Sequence, residues 1–254
     1  MAHSAKLTFS DGLLWIREAF KVVKDYPLVY VGMVLFSSLV TGLLVSIPFI
    51  GELLTSLWQP FSSLLLAWGA RNALAARLPV YDPLFQSLSE APIRNRLLNL
   101  GVWHCVIVTL YSLLASALLP DVPVEPTLAD MTELSVQMTL GFVPIMVMMM
   151  FAPILVVDRA QSSGKALLSS LLGVVLEWRA VGSAFVLFAT LAGVAAGAFY
   201  GIWVLTARST LALLIFAPVL VTLLAAIGQA LVWPMYRDIF GEAGGFKVRA
   251  FNRR

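Results

Sequence analysis

Charged residues are scarce in this chain, and their scarcity excludes an ordinary soluble domain. Only 12% of the 254 residues are Asp, Glu, Lys or Arg, whereas 60% are apolar. A soluble globular domain has about a quarter charged residues and about 45–50% apolar residues, glycine included. The composition therefore predicts an all-α polytopic membrane protein, with residues 1–254 forming a single integral membrane domain.

Cysteine and histidine are almost absent too, with one cysteine, Cys105, and two histidines, His3 and His104. A single cysteine excludes an intrachain disulfide. Adjacent His104 and Cys105 point about 100° apart on a helix, so they do not chelate one metal ion together. The sequence contains no nucleophile elbow, phosphate-binding loop or dinucleotide fingerprint. We therefore predict a protein that is not an enzyme, without catalytic residues, metal or cofactor.

Six long gaps between charged residues predict six transmembrane helices. The gaps are 18 to 28 residues long and no other gap exceeds 11, whereas a spanning helix needs about 20 mostly apolar residues. The predicted spans are residues 27–50, 53–70, 97–119, 134–157, 180–207 and 209–236. The shortest, 53–70, is a candidate for a re-entrant segment, but this would scatter the basic residues across both faces of the membrane, so we predict that it spans.

Basic residues decide the topology, because loops on the cytoplasmic side carry the excess of Lys and Arg. If all six segments span, sixteen of the seventeen basic residues lie on one side and only Arg208 on the other. We therefore predict a bacterial inner-membrane protein with a cytoplasmic N-terminal tail (1–26) and a basic cytoplasmic C-terminal tail (237–254). The basic character then reflects topology and contact with lipid headgroups, and no nucleic-acid partner is expected.

Two amphipathic segments, residues 10–25 and 163–178, predict interfacial helices on the cytoplasmic leaflet. In the first, Leu13, Ile16, Phe20 and Val23 recur at helical spacing, apart from the lysines and arginines. An ordinary helix that caps the bundle is the alternative. The predicted interfacial anchors are Trp15, Tyr26, Trp178 and Arg179.

A repeat is visible when Gly12 is aligned with Gly164. Val22-Val23 then matches Val174-Val175, and Asp25-Tyr26 matches Glu177-Trp178. With a fainter unit near residue 82, the pattern predicts a parallel three-fold repeat of helix-plus-hairpin units.

Polar residues inside the predicted spans are candidates for a polar groove, because buried polar groups in a membrane mark cavities or helix contacts. The candidates are Glu52, Gln59, Arg71, His104, Gln137 and Gln229. Hydrogen bonding between helices is the competing interpretation. Serine pairs such as Ser37-Ser38 and Ser62-Ser63 are typical of bonds within a helix or to a neighbour.

A glycine stripe, Gly193, Gly197 and Gly201, predicts a helix-packing face in the fifth span. Its partner is either internal or another subunit. The favoured function is a non-enzymatic scaffolding or assembly partner, and the alternative is a carrier or exporter of a lipid or lipid-like amphiphile. The expected partners are membrane lipids and either further copies of the chain or another membrane protein.

Several short motifs resemble an uncharacterised proteobacterial family of six-helix inner-membrane proteins, a domain of unknown function. The motifs are Gly12 to Phe20, Tyr26-Pro27, Phe151-Ala152-Pro153, Gly164-Lys165-Ala166-Leu167 and Trp178-Arg179. That family is distantly similar to the membrane domain of some glycerophosphodiester phosphodiesterases. The resemblance, over roughly residues 12–240, implies an inner-membrane location and no assigned reaction. No soluble phosphodiesterase domain is expected in these 254 residues, so that activity is not implied.

Overall fold

The computed structural model describes residues 7–80, 88–118, 128–205 and 210–241, and this part of the chain is helical without strands. The all-α fold class is therefore confirmed. The helices are α1 (Phe9–Asp25), α2 (Pro27–Val45), α3 (Gly51–Leu74), α4 (Ala91–Leu118), α5 (Leu128–Asp158), α6 (Ser163–Leu176), α7 (Trp178–Leu205), α8 (Thr210–Ala230) and α9 (Val232–Phe240).

Within the described part of the chain, five helical segments are long and apolar enough to cross a membrane. They are Pro27–Val45, Ala91–Leu118, Leu134–Asp158, Trp178–Leu205 and Phe216–Phe240. Each overlaps one of the predicted spans. The remaining predicted span, 53–70, lies within α3, which is 24 residues long and is not among the five.

The long helices form three antiparallel hairpins, α2–α3, α4–α5 and α7–α8. In the first, the Tyr30 hydroxyl donates to the Leu66 carbonyl (3.1 Å). In the second, the Tyr111 hydroxyl donates to the Met138 carbonyl (2.6 Å). Helix α3 is the central element, since it contacts α1, α2, α4, α5, α8 and α9.

The buried core is concentrated at one end of the bundle, where α2 begins and α3 ends. We call this the capped end, because α1, α6 and α9 also pack there. Its largest fully buried side chains include Trp15, Tyr30, Trp68, Phe151 and Tyr236. Toward the opposite end the helices expose apolar residues such as Leu43, Leu113 and Val204. Helix contacts are therefore tight at the capped end, and apolar surface remains open beyond it.

Helix α1 packs on the bundle through a face that is rotated from the apolar stripe predicted to lie against the membrane. Its buried residues are Gly12, Trp15, Ile16, Ala19 and Val22, which recur at helical spacing. Leu13 and Phe20, which we predicted on the apolar face, are 39% and 40% exposed. Small residues allow α1 to approach α7 closely, because a Cβ atom at Gly12 would lie 2.8 Å from the Ala180 carbonyl oxygen.

Candidate functional site

A groove of about 300 Å³ lies between α2 and α3. This is the lower limit of typical ligand pockets, which range from about 300 to 1,000 Å³. Most of its lining is apolar. The residues are Val29, Gly32, Met33, Phe36, Ser37, Trp58, Ser62, Leu65, Leu66 and Val80. We call this the α2–α3 groove.

Two serine hydroxyls and the Trp58 indole N–H are the polar side-chain groups of the groove lining. The Ser37 and Ser62 hydroxyls hydrogen-bond to each other across the two helices. Beside them, Phe36 and Trp58 pack edge to face, with ring centroids 6.5 Å apart. Gly32 leaves open space on the α2 side of the groove, because a Cβ atom there would meet no described atom within 4 Å. The groove therefore combines an apolar channel with one hydroxyl pair.

The segment after α3 closes the groove at the capped end. Asn72 is buried, and its amide nitrogen donates to the Pro79 carbonyl (3.3 Å). The backbone carbonyl of Asn72 accepts a hydrogen bond from the backbone N–H of Arg77 (2.8 Å). These two bonds hold the chain against α3, so that Val80 joins the groove lining.

A polar cluster at the capped end connects α9 to α1 and α5. The Trp15 indole N–H donates to Asp238 (2.8 Å), and Arg237 forms an ion pair with Glu18 (3.2 Å). The Tyr236 hydroxyl donates to Asp158 (2.6 Å). These bonds join α9 to α1 and α5 within the protein, and we assign the cluster a structural role.

Two of the six residues predicted to form a polar groove lie too far apart to share one site. Glu52 and Arg71 lie at opposite ends of α3, about 28 Å apart at 1.5 Å per residue. Arg71 packs over the Trp233 ring, 5.1 Å from its centroid. Gln59 donates to Ser63 on its own helix (3.5 Å). The other three are on different helices: His104 on α4, Gln137 on α5 and Gln229 on α8.

The predicted glycine stripe faces away from the described part of the chain. A Cβ atom at Gly193, Gly197 or Gly201 would meet no described atom within 4 Å. The glycines that closely approach another helix are different ones, notably Gly12 against α7 and Gly101, whose Cβ atom would lie 2.7 Å from the Leu57 Cα atom of α3. The packing role of the stripe stays a prediction.

The predicted anchors divide into one buried and three accessible residues. Trp15 is fully buried and bonds to Asp238, so its contacts are with protein rather than with headgroups. The cause is that α1 packs on the bundle through its face of small residues, and Trp15 lies on that face. Trp178 is 64% exposed, with the exposed Arg179 guanidinium 5.7 Å from its ring centroid, and Tyr26 is partly buried.

Comparisons with protein-family models, with curated proteins and with solved structures find no match for this chain. The function of this chain is therefore inferred from the geometry of the chain itself. Sequence reasoning missed Gly32, Phe36 and Trp58 as site residues because it searched for polar groups, and the groove is mostly apolar. The available signal was the pair of serine dipeptides, of which Ser37 and Ser62 form the bridge between α2 and α3.

Proposed function

We propose that this protein is an integral membrane protein that holds a lipid or lipid-like amphiphile in the α2–α3 groove, as a carrier or exporter does. The observation that carries the proposal is a groove with an apolar lining between two membrane-length helices. A lipid chain can enter from the side, since Gly32 leaves the wall open. Apolar lining with few polar groups is the usual character of a site for an apolar ligand.

Filling the groove should abolish this binding. Gly32→Phe places a ring where a Cβ atom meets open space, so it occupies the groove without overpacking the core. We expect native mass spectrometry of the purified protein to show lipid retained by the wild type and lost from the variant. Gly42→Phe is the matched control, because Gly42 is also on α2 with open space around it but is not in the groove lining. Equal lipid retention by all three proteins would refute the proposal.

We also propose that α3 crosses the membrane as the sixth span, although it is less apolar than the others. Its 24 residues extend about 36 Å at 1.5 Å per residue, more than the hydrocarbon core of about 30 Å. It runs antiparallel along α2, from Leu66 beside Tyr30 to Gly51 beside the Leu44 carbonyl. Much of its surface contacts protein rather than lipid, so it does not need an apolar surface all round.

With six spans, both termini lie in the cytoplasm of a bacterium and residue 124 lies outside. In a Cys105→Ala background, we expect an impermeant maleimide to label Val124→Cys in intact spheroplasts. Ala5→Cys and Gly244→Cys should react only after the membrane is permeabilised. A five-span protein would place residues 5 and 244 on opposite sides, so different labelling of these two positions would exclude the proposed topology.

Helices α1 and α6 are proposed to lie at the cytoplasmic surface of the membrane. Helix α1 exposes Phe9, Leu13 and Phe20 along one stripe, and its exposed cations Arg17, Lys21 and Lys24 follow on the adjacent side. Such a helix buries its apolar stripe among lipid chains and directs its cations to anionic headgroups. Helix α6 exposes apolar residues too, and its 14 residues are too short to span.

The parallel repeat remains part of the proposal. Helices α1 and α6 precede the first and third hairpins, as the alignment of Gly12 with Gly164 predicts. The fainter unit near residue 82 lies partly outside the described residues.

A second candidate function, a scaffolding or assembly partner, is favoured by the glycine stripe. Helices in lipid associate through close backbone contact, which a glycine face permits. No described atom of the chain covers Gly193, Gly197 or Gly201. The stripe thus leaves space for a helix of another subunit or another membrane protein.

Substitution of the central glycine tests the scaffold hypothesis. Gly197→Ile should leave the monomer stable, since no described atom lies within 4 Å of its Cβ position, but it should prevent a second helix from approaching. We expect the oligomer or complex that purifies in mild detergent to dissociate, as measured by size-exclusion chromatography with light scattering. Val194→Ile, at an exposed neighbouring position, controls for bulk. An unchanged assembly size for Gly197→Ile would show that the stripe faces lipid only.

A further inference from the structure

We infer that the α2–α3 groove selects an uncharged lipid that carries a carbonyl oxygen within its hydrocarbon part. This inference rests on the lipid-binding function proposed above and specifies the class of ligand. Three features of the groove lead to it: the depth of the hydroxyl pair, the number of its hydrogen-bond donors and the absence of charge from the lining.

The hydroxyl pair lies near the middle of the spanning segment. Ser37 is ten residues from the start of α2, which is about 15 Å along a helix and about half of a hydrocarbon core of about 30 Å. Ser62 is at the same level, because the two hydroxyls bond to each other. The pair is therefore far from the phosphate and ester groups of an ordinary phospholipid, which lie at the membrane surface.

One of the two hydroxyl hydrogens in the Ser37–Ser62 pair has no acceptor within the pair. Two serine hydroxyls carry two hydrogens, and a single bond between them uses one. Serine in a helix usually donates to a carbonyl of the preceding turn, but neither hydroxyl does so within the described residues. The Trp58 indole N–H, in the same lining, also has no acceptor among them. A ligand oxygen that accepts from the spare hydroxyl would satisfy an otherwise costly group.

The remaining lining excludes a charged ligand. Besides the two serines and Trp58 it consists of apolar residues, with no Lys, Arg, Asp, Glu or His among them. An ion at this depth would be costly without a partner. A carbonyl oxygen flanked by hydrocarbon on both sides fits both requirements, because it accepts one hydrogen bond and leaves the rest of the ligand apolar.

Two probes that differ in one carbonyl group test this inference: undecan-6-one and undecane. Apparent dissociation constants follow from the rise in melting temperature of the full chain in detergent micelles as probe is added. Hydrogen bonds within membranes contribute about 0.6 to 1.7 kcal/mol, so we expect the wild type to prefer the ketone by about 3- to 18-fold. The Ser37→Ala/Ser62→Ala variant should bind undecane as before and lose the preference.

Ser116→Ala is the matched control, since this hydroxyl bonds within its own helix, to the Leu113 carbonyl (2.8 Å), outside the groove. The control should keep the preference for the ketone. Equal affinities for the two probes in the wild type, or a preference that survives in the double variant, would overturn the inference while groove binding stands. Failure of both probes to bind the wild type would instead refute the lipid-binding function, and the inference with it.

Discussion

Replacing Gly12 with valine should lower the melting temperature of the purified protein in detergent by roughly 5–10 °C. A Cβ atom at Gly12 would lie 2.8 Å from both the Ala180 carbonyl oxygen and the Ala184 backbone nitrogen. Both contacts are with backbone, so α1 or α7 must move as a body. Overpacking of this kind costs about 1–3 kcal/mol or more, and each kcal/mol shifts the melting temperature by about 2–4 °C at this chain length.

The shift should also loosen the polar cluster at the capped end. Trp15 and Glu18 bond to α9 from the same helix as Gly12, so displacement of α1 disturbs both partners together. Gly182→Val is the control, because a Cβ atom at Gly182, close to the same crossing, meets no described atom within 4 Å. The interpretation fails if the two variants melt at the same temperature.

The same glycine shows which parts of the fold the sequence could predict. Hydrophobic length is read directly from the spacing of charges, so five of the predicted spans coincide with helices long and apolar enough to cross a membrane. The face through which α1 packs on the bundle was harder to predict from the sequence. Periodicity identified the exposed apolar stripe with Leu13 and Phe20 but not the buried face, which includes Gly12 and Ala19. In a membrane, small residues mark helix contacts better than large apolar ones, because lipid is as apolar as leucine.

The site was harder to predict for a related reason. A search for intramembrane polar residues selected Glu52 and Arg71, which the structure places at opposite ends of α3. Linear sequence does not say which helices are neighbours, and side chains form one site only when their helices meet at the same depth. Ser37 and Ser62 meet because α2 and α3 pair along their length. The apolar walls of the groove carry no distinguishing signal in a sequence that is 60% apolar.

If α3 is the sixth span, as we propose, its central position explains why it is less apolar than the five other segments. Residues 64, 66–70, 72 and 73 of this helix are buried, and its surroundings are the six helices that it contacts. A helix enclosed by protein can carry Ser56, Ser62 and Asn72 as buried polar groups, whereas a helix that faces lipid needs an apolar surface. Because its neighbours are protein helices, α3 can cross the membrane with a less apolar surface than helices that face lipid.

The largest single effect is expected at Phe151, where α5, α6 and α9 meet. Its side chain is fully buried, with ring centroids 5.5 Å from Phe240 and 6.3 Å from Tyr236. Its backbone N–H donates to the Ser170 hydroxyl of α6 (3.1 Å). Removal of this ring leaves a cavity under α9, and its neighbours lose the dispersion contacts that substitute for the hydrophobic effect inside a membrane protein.

Phe151→Ala should therefore lower the melting temperature in detergent by on the order of 10 °C. Truncation of a buried Phe to Ala costs about 3–5 kcal/mol, and the conversion to temperature is again about 2–4 °C per kcal/mol. Phe216→Ala removes the same atoms from a side chain of α8 that is 54% exposed, and we expect a shift of at most about 2 °C. The capped end would not be the stability centre of the fold if Phe216→Ala destabilised the protein as much as Phe151→Ala. Because α9 packs on Phe151 through Tyr236 and Phe240, limited proteolysis of the variant should also cleave first in α9.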